Sequence, residues 1–232
     1  MFDGVDSPMT QTFGLGMFAE PGADDMSALE EFFRSRGAAV HHEVSPLAMP
    51  SLLPLLTSRG YEPIELTSVM HQPIAPRTTA PAPVAGPSDV RARLIRAGEE
   101  SIWADTSARG WSEQPELIAF IRELGEVSVH TRGTRCFIAE RRGLPIAAAA
   151  LVMHGGVAVL AGASTIPEWR GRGAQAALLA ARLAHAADQG CDLAMMGAQP
   201  GSASQRNAER QGFRIAYTRI KWRLPATARA TG

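Results

Sequence analysis

The sequence predicts an α/β (α+β) protein: a mixed, mostly antiparallel sheet flanked by helices, with a smaller N-terminal half-repeat. Three observations lead there. Three apolar runs, Cys136 to Glu140, Pro145 to Met153 and Val157 to Thr165, are separated by Arg141-Arg142-Gly143 and His154-Gly155-Gly156. They read as strands joined by hairpin turns. The third run then passes through the Gly/Arg stretch Arg170-Gly171-Arg172-Gly173-Ala174-Gln175 into an alanine- and leucine-rich helical segment, Ala176 to Ala187, closed by Gly190. Finally, an order of elements recurs. Gly37, a strand, a helix and Arg59-Gly60-Tyr61 occupy 25 residues; Gly190, a strand, a helix and Gln211-Gly212-Phe213 occupy 24. Such self-similarity suggests duplication.

The elements follow in order. Thr12 to Phe18 reads as a strand and Ala19 to Ala23 as a turn. Asp24 or Asp25 caps a helix with Met26, Leu29, Phe32 and Phe33 on one apolar face. Gly37 stops it, and Ala38 to Val44 is a strand. Ser45-Pro46 opens a helix through Leu47, Leu52, Leu55 and Leu56, ended by Gly60, with a kink or short break expected at Pro54. Tyr61 to Met70 reads as one or two strands. Pro73 to Pro87, rich in Pro, Ala and Thr, is an extended linker. It separates an N-terminal half-domain, residues 1–72, from a second domain, residues 88–232. Ser88-Asp89 starts a helix through Leu94 and Ile95. Another begins at Ser112 or Glu113, with Pro115 in its first turn and Leu117, Ile118, Ile121 and Leu124 on one face. Cys191 to Ala198 is a strand, and Gly212-Phe213 ends a last helix.

Composition narrows the class. Hydrophobic residues make up 45% of the 232, enough for a sizeable core. Lys and Arg number 23 against 23 Asp and Glu, which argues against a nucleic-acid or membrane-surface partner. The two cysteines, Cys136 and Cys191, sit inside expected strands and lack metal-ligand spacing, so they read as buried free thiols and no metal is expected. No run of about 18 apolar residues occurs, and the N-terminus lacks a basic region before an apolar one. A soluble cytoplasmic protein, monomer or homodimer, is expected.

The Gly/Arg stretch has the chemistry of a polyphosphate site. Its glycines let backbone N–H groups approach a ligand, the following helix adds unpaired N–H groups, and Arg170 and Arg172 add charge. The alternative is an ordinary strand–helix turn. The stretch Arg170 to Gln175 resembles the R-G-x-G-x-G/A pyrophosphate loop of the GNAT N-acetyltransferase superfamily, with Gln175 where the family has Gly or Ala. The order of elements over residues 88–224 is similar as well. The resemblance implies a GNAT acyl-CoA N-acyltransferase fold, acetyl-CoA or CoA as cofactor, and an amine acceptor, small molecule or peptide. It implies cofactor contacts from Arg170, Gly171, Arg172, Gly173, Ala174 and Gln175, from the backbones of Ser164 and Thr165, and from Asn207. By the same likeness residues 11–71 are a degenerate half-GNAT. Its loop carries Glu20, Asp24 and Asp25 where a phosphate would sit, so it should scaffold rather than bind.

The catalytic groups are less defined. Many family members place a tyrosine five residues before the Phe of the Gly-Phe pair to protonate the departing thiolate; that position is Ala208. Tyr217 and Ser204 are the substitutes the chain offers, each with a bland alternative: strand packing for Tyr217, helix capping for Ser204 or its neighbour Ser202. Glu140, Glu168, His130 and His154 read as surface groups before they read as a base. Trp103 and Trp111 flank the region that helps form the family's acceptor site and could equally be packing residues. The leading reading is acetyl transfer from acetyl-CoA to an amine. A non-catalytic coenzyme A binder and a nucleotide-binding domain are the alternatives; the antiparallel meander and the missing Walker lysine weaken the latter.

Overall fold

The computed structural model describes residues 1–75 and 89–225. The expected linker lies, from residue 76 on, outside the described residues. The described residues divide into two compact units: residues 1–69 with 198–205 and the segment from 215 to 225, and residues 70–75 and 89–197 with 206–214. The strands are mostly antiparallel and carry helices, the α/β architecture expected.

In the first unit, β1 (Thr12–Phe13) is far shorter than the run to Phe18 that apolarity suggested. Helix α1 (Ala23–Arg34) starts after Gly22, whose N–H donates to Asp25 Oδ2 at 2.8 Å. A carboxylate thus occupies that N-terminus. Met26 and Phe33 are fully buried, but Phe32 is exposed and lies under the Arg36 guanidinium, a correction to the expected four-residue face. Gly37, at φ 72°, ends the helix in the left-handed conformation that non-glycine residues rarely adopt. Strand β2 (Val40–Val44) alternates, with Val40, His42 and Val44 inward. Helix α2 (Leu52–Ser58) begins later than expected, leaving Leu47 exposed. Pro54 therefore falls in the first turn, where its missing N–H costs nothing, and no break occurs. The next segment is one strand, β3 (Glu62–Pro73). With β9 (Arg214–Leu224) the unit's strand order is β1-β2-β9-β3. β2 and β9 are antiparallel, Val40 opposite Leu224 and Val44 opposite Ile220. Met26, Phe33, Leu52, Leu56, Tyr61 and Trp222 make the core.

The second unit opens with β4 (Val90–Leu94), where a helix was expected. Val90, Ala92 and Leu94 alternate with Arg91 and Arg93, a period of two, and that pattern overrides the Ser-Asp cap signal. Helix α3 (Glu100–Arg109) follows, then α4 (Pro115–His130), which begins at its proline. The meander is β5 (Thr134–Arg141), β6 (Leu144–His154) and β7 (Val157–Thr165). Its two hairpins turn at Arg142-Gly143 (φ 51° and 78°) and Gly155-Gly156 (φ 53° and 82°). Positive φ at both central residues matches the twist of the flanking strands. Helix α5 (Ala174–Asp188), β8 (Leu193–Ala198) and α6 (Ala203–Arg210) complete the elements. The order is β8-β7-β6-β5-β4, antiparallel except for parallel β7 and β8.

Helices α3 and α5 lie on opposite faces of these strands. Trp103 of α3 packs with Cys136, Ile138, Ala148 and Ala150, and its indole N–H donates to Phe137 O at 2.9 Å. The ring of Phe137, pointing the other way, meets His185 of α5. Cys136 and Cys191 are buried and unpaired.

Candidate functional site

Two departures from a regular sheet create the site. Opposite β6, β7 pairs Ala161 with Ala150 and Ser164 with Ala148, so Gly162 and Ala163 together face the single residue Ala149. This is a β-bulge, with Gly162 at φ 57°. Towards β8, the parallel ladder runs only from Val157–Leu193 to Val159–Met195. β7 continues for six further residues beyond it, and Ala161, Gly162 and Ala163 are exposed although they lie mid-strand.

A cleft of about 280 Å³ lies at the end of β7. Ala163, Ser164, Thr165, Arg170 and Gln175 form one side; Gly110, Trp111, Glu113 and Gln114, from the α3–α4 connection, form the other. The close approach of these walls needs a glycine at 110: a Cβ there would sit 2.5 Å from Ser164 Cβ. Ser164 is buried, and its hydroxyl donates to Ser107 O at 2.9 Å. Trp111 lines the cleft, whereas Trp103 is a core residue.

Beyond Thr165 a 3-10 turn, Pro167–Trp169, leads into the Gly/Arg loop. Gly171 (φ 74°) and Gly173 (φ 85°) take left-handed backbone, and Gly173 is the N-cap of α5, with no side chain capping its first turn. The free N–H groups and dipole of that turn face the loop. Arg170 bridges the two walls: Nη1 to Glu113 Oε2 at 2.6 Å, Nη2 to Gly110 O at 3.2 Å, and Nε to Thr165 O at 3.3 Å. Arg172 lies over the Trp169 ring, 5.1 Å from its centroid. Ala174 is buried. Gln175 turns back to the strand, donating from Nε2 to Thr165 Oγ1 at 2.7 Å, and so ties the helix start to the end of β7.

The remaining candidates separate. Asn207, half-buried on α6, belongs to the second unit with the loop. Ser204, exposed near the start of α6, and Tyr217, half-buried on β9, belong to the first. The α6 cap is Ser202, whose Oγ accepts Gln205 N–H at 3.1 Å. Ala208 is buried. Glu140 is held by Arg93, which also binds Glu99. His130, His154 and Glu168 are exposed. Among the described residues no group of three His, Cys, Asp or Glu side chains is placed to hold a metal ion, and no helix is long and apolar enough to cross a membrane. The sequence reading missed Gly110, Glu113 and Gln114. Their only signal was a position just before a proline-led helix, which suggests a cap and not a wall.

Residues 96–213, just over half the chain, match the family described as Acetyltransferase (GNAT) family. The chain belongs to the GNAT acetyltransferase family. Solved structures agree in fold. A GCN5-related N-acetyltransferase from Kribbella flavida superposes with a TM-score of 0.65 at 20% identity, over 88% of this chain and 75% of that one. A GCN5-related N-acetyltransferase from Sphaerobacter thermophilus gives 0.60 at 17%, over 80% and 59%. A tandem GNAT protein from the clavulanic acid biosynthesis pathway gives 0.60 at 16%, over 88% and 70%. No curated protein matches the sequence. The Gly/Arg stretch, Arg170 to Gln175, lies inside the matched residues.

Proposed function

We propose that this GNAT protein is an N-acetyltransferase that moves an acetyl group from acetyl-CoA to a primary amine, on a small molecule or a peptide. The observation that carries the reading is the conjunction at the end of β7. An exposed bulge, a strand edge left by β8 and an uncapped helix start behind two left-handed glycines lie on one continuous path. That path suits a long ligand with a polyphosphate at one end and an amide-bearing arm at the other.

The residues divide the work. Arg170, Arg172 and the backbone N–H groups from Gly171 through Gln175 hold the pyrophosphate. The backbone of β7 up to Ser164 and Thr165 accepts the pantetheine arm in the manner of an added strand. Asn207 is a further candidate for cofactor contact. Bound acetyl-CoA supplies an activated thioester. Trp111, Glu113 and Gln114 wall the space in which an amine would approach. The thiolate needs a proton as it leaves, and Ser204 and Tyr217 are the candidates the chain offers for it. The N-terminal half is a degenerate half-GNAT that scaffolds and binds no cofactor, supported by the Asp25 carboxylate already accepting the Gly22 N–H at its helix start.

A second reading, a coenzyme A-binding sensor without turnover, is favoured by one observation: Ala208 stands, buried, at the position of the family's proton-donating tyrosine. The test is thiol release from acetyl-CoA against a panel of primary amines, with calorimetric titration of CoA in parallel. Amine-dependent thiol release with one CoA bound per chain supports the transferase. Binding without release supports the sensor, and no binding removes both.

A further inference from the structure

Arg182 is a buried charged side chain that the proposed reaction does not use. It sits in the middle of α5 and is only 4% exposed. Its partners are backbone carbonyls: Nε donates to Leu178 O at 3.2 Å, one turn back, while Nη1 donates to Ala150 O at 3.1 Å and Ala161 O at 3.4 Å. Ala150 and Ala161 are the facing pair at which the β6–β7 ladder ends and the bulge begins. Burial lowers the guanidinium pKa to about 10, with no carboxylate opposing it.

A buried cation whose partners among the described residues are all carbonyls is costly, and an apolar side chain would fill the same space more cheaply. What Arg182 supplies is a pair of further donors to the carbonyls of Ala150 and Ala161, the last facing pair before the bulge. It also polarises the Ala161–Gly162 peptide. Hydrogen bonding from a cation to Ala161 O strengthens the N–H of Gly162 as a donor, and in a trans peptide that N–H points the opposite way, away from β6. On that side the ladder to β8 has already ended at Val159–Met195, and Ala161, Gly162 and Ala163 are exposed. Arg182 lies two turns along the helix whose first turn carries the phosphate loop, so one helix governs both ends of the path.

We infer that Arg182 is a positioning residue that fixes and polarises the β7 bulge, so that the backbone around Gly162 receives the acyl carbonyl of the bound thioester. This rests on the acetyl-CoA reading above. It predicts a division of labour: the Gly/Arg loop sets affinity for the nucleotide end, and Arg182 sets the preference for acylated over free CoA.

The experiment measures acetyl-CoA and CoA dissociation constants for the wild-type chain and for Arg182→Met, Arg182→Gln and Arg182→Lys, with thermal unfolding of each. In Arg182→Met the CoA constant should stay within about threefold while acetyl-CoA binding weakens about tenfold, the scale of one charged hydrogen bond. Arg182→Lys, which keeps the charge, should recover part of the preference, and Arg182→Gln less. A merely structural role would weaken both ligands together in step with stability. That outcome, or an unchanged ratio, overturns the inference alone. Should the variants fail to fold, the wild-type chain labelled with ¹⁵N-glycine decides. The Gly162 amide resonance should move further with acetyl-CoA than with CoA, and equal responses overturn the inference. A wild-type chain that binds neither compound overturns the acetyltransferase reading itself.

Discussion

At Gly173 the backbone takes φ 85° and then enters α5 with no side-chain cap. A β-branched residue there would be strained and would stand between the loop N–H groups and an anion. Gly173→Val is therefore expected to fold, by circular dichroism, and to bind CoA at least about tenfold more weakly, the loss of one or two charge-assisted hydrogen bonds. Unchanged affinity would remove the loop from the binding site. Glu113 acts in the opposite direction. Its carboxylate holds Arg170 at 2.6 Å, and a pyrophosphate claiming Arg170 must displace it. The side chains are 47% and 62% exposed, so the pair is screened and worth at most about 1 kcal/mol. Glu113→Gln should thus tighten CoA binding by up to about fivefold at low salt, and the gain should shrink as salt rises. Weaker binding would mean that Glu113 orients Arg170 rather than competing for it. The turn that carries Arg170 was legible in the sequence because a charge between glycines is a local pattern. Glu113 was not, because its partner is distant in sequence.

Among the elements, β2 carries a polar group where alternation alone would put an apolar one. His42 is fully buried, with Nε2 2.8 Å from Tyr61 Oη and Nδ1 2.6 Å from Thr12 Oγ1. Tyr61 donates to Glu30 Oε1 at 3.2 Å, and Arg59 Nε donates to the same oxygen at 2.7 Å. One proton arrangement satisfies the chain: Tyr61 gives its proton to Glu30, so His42 donates from Nε2 and accepts from Thr12 at Nδ1. That requires neutral imidazole. Burial depresses the His42 pKa from 6.5 to about 4, against the pull of Glu30 and aided by His41. The folded pKa lies below the unfolded one, so the unfolded state binds more protons as pH falls. Stability is fully present above about pH 6.5 and declines towards pH 4, by roughly 3 kcal/mol over the window. Urea midpoints for the wild type should therefore drop between about pH 7 and about pH 5, and His42→Gln should flatten the change. An equal drop in the variant would assign the effect elsewhere. The sequence showed β2 as a strand but not this network, since contacts linking Thr12, Glu30, His42 and Tyr61 have no periodic signature. The opposite failure occurred at β4, where a Ser-Asp pair suggested a helix start and the alternation of Val90 to Leu94 went unread. The meander, by contrast, was legible almost to the residue, because two Gly turns pin both hairpins.

At the scale of the whole molecule, the first unit is discontinuous, combining residues 1–69 with residues 198–205 and the segment from 215 to 225. Sequence reasoning expected the N-terminal segment to have too few elements to cover its apolar faces. It did not see which strand completes the unit, because pairing between residues so distant in sequence leaves no local signal. β9 supplies the answer: it pairs with β2 from Val40–Leu224 to Val44–Ile220 and puts Trp222 into the core beside Met26, Phe33 and Leu56. A fragment of residues 1–75 would keep α1, β2, α2 and β3 but leave β2 without that partner and the core without its largest side chain. An open edge beside uncovered apolar residues favours aggregation. The fragment is expected to show no cooperative melting transition, and a chain ending after Phe213 should lose the same unit although only its C-terminal end is removed. Trp222→Ala in the full chain offers a milder version, costing about 3 to 5 kcal/mol through the cavity it leaves. Thermal unfolding of all three, with sedimentation to score aggregation, tests the claim. A monomeric 1–75 fragment that melts cooperatively near the temperature of the intact chain would mean that β9 is dispensable and that the N-terminal half stands alone.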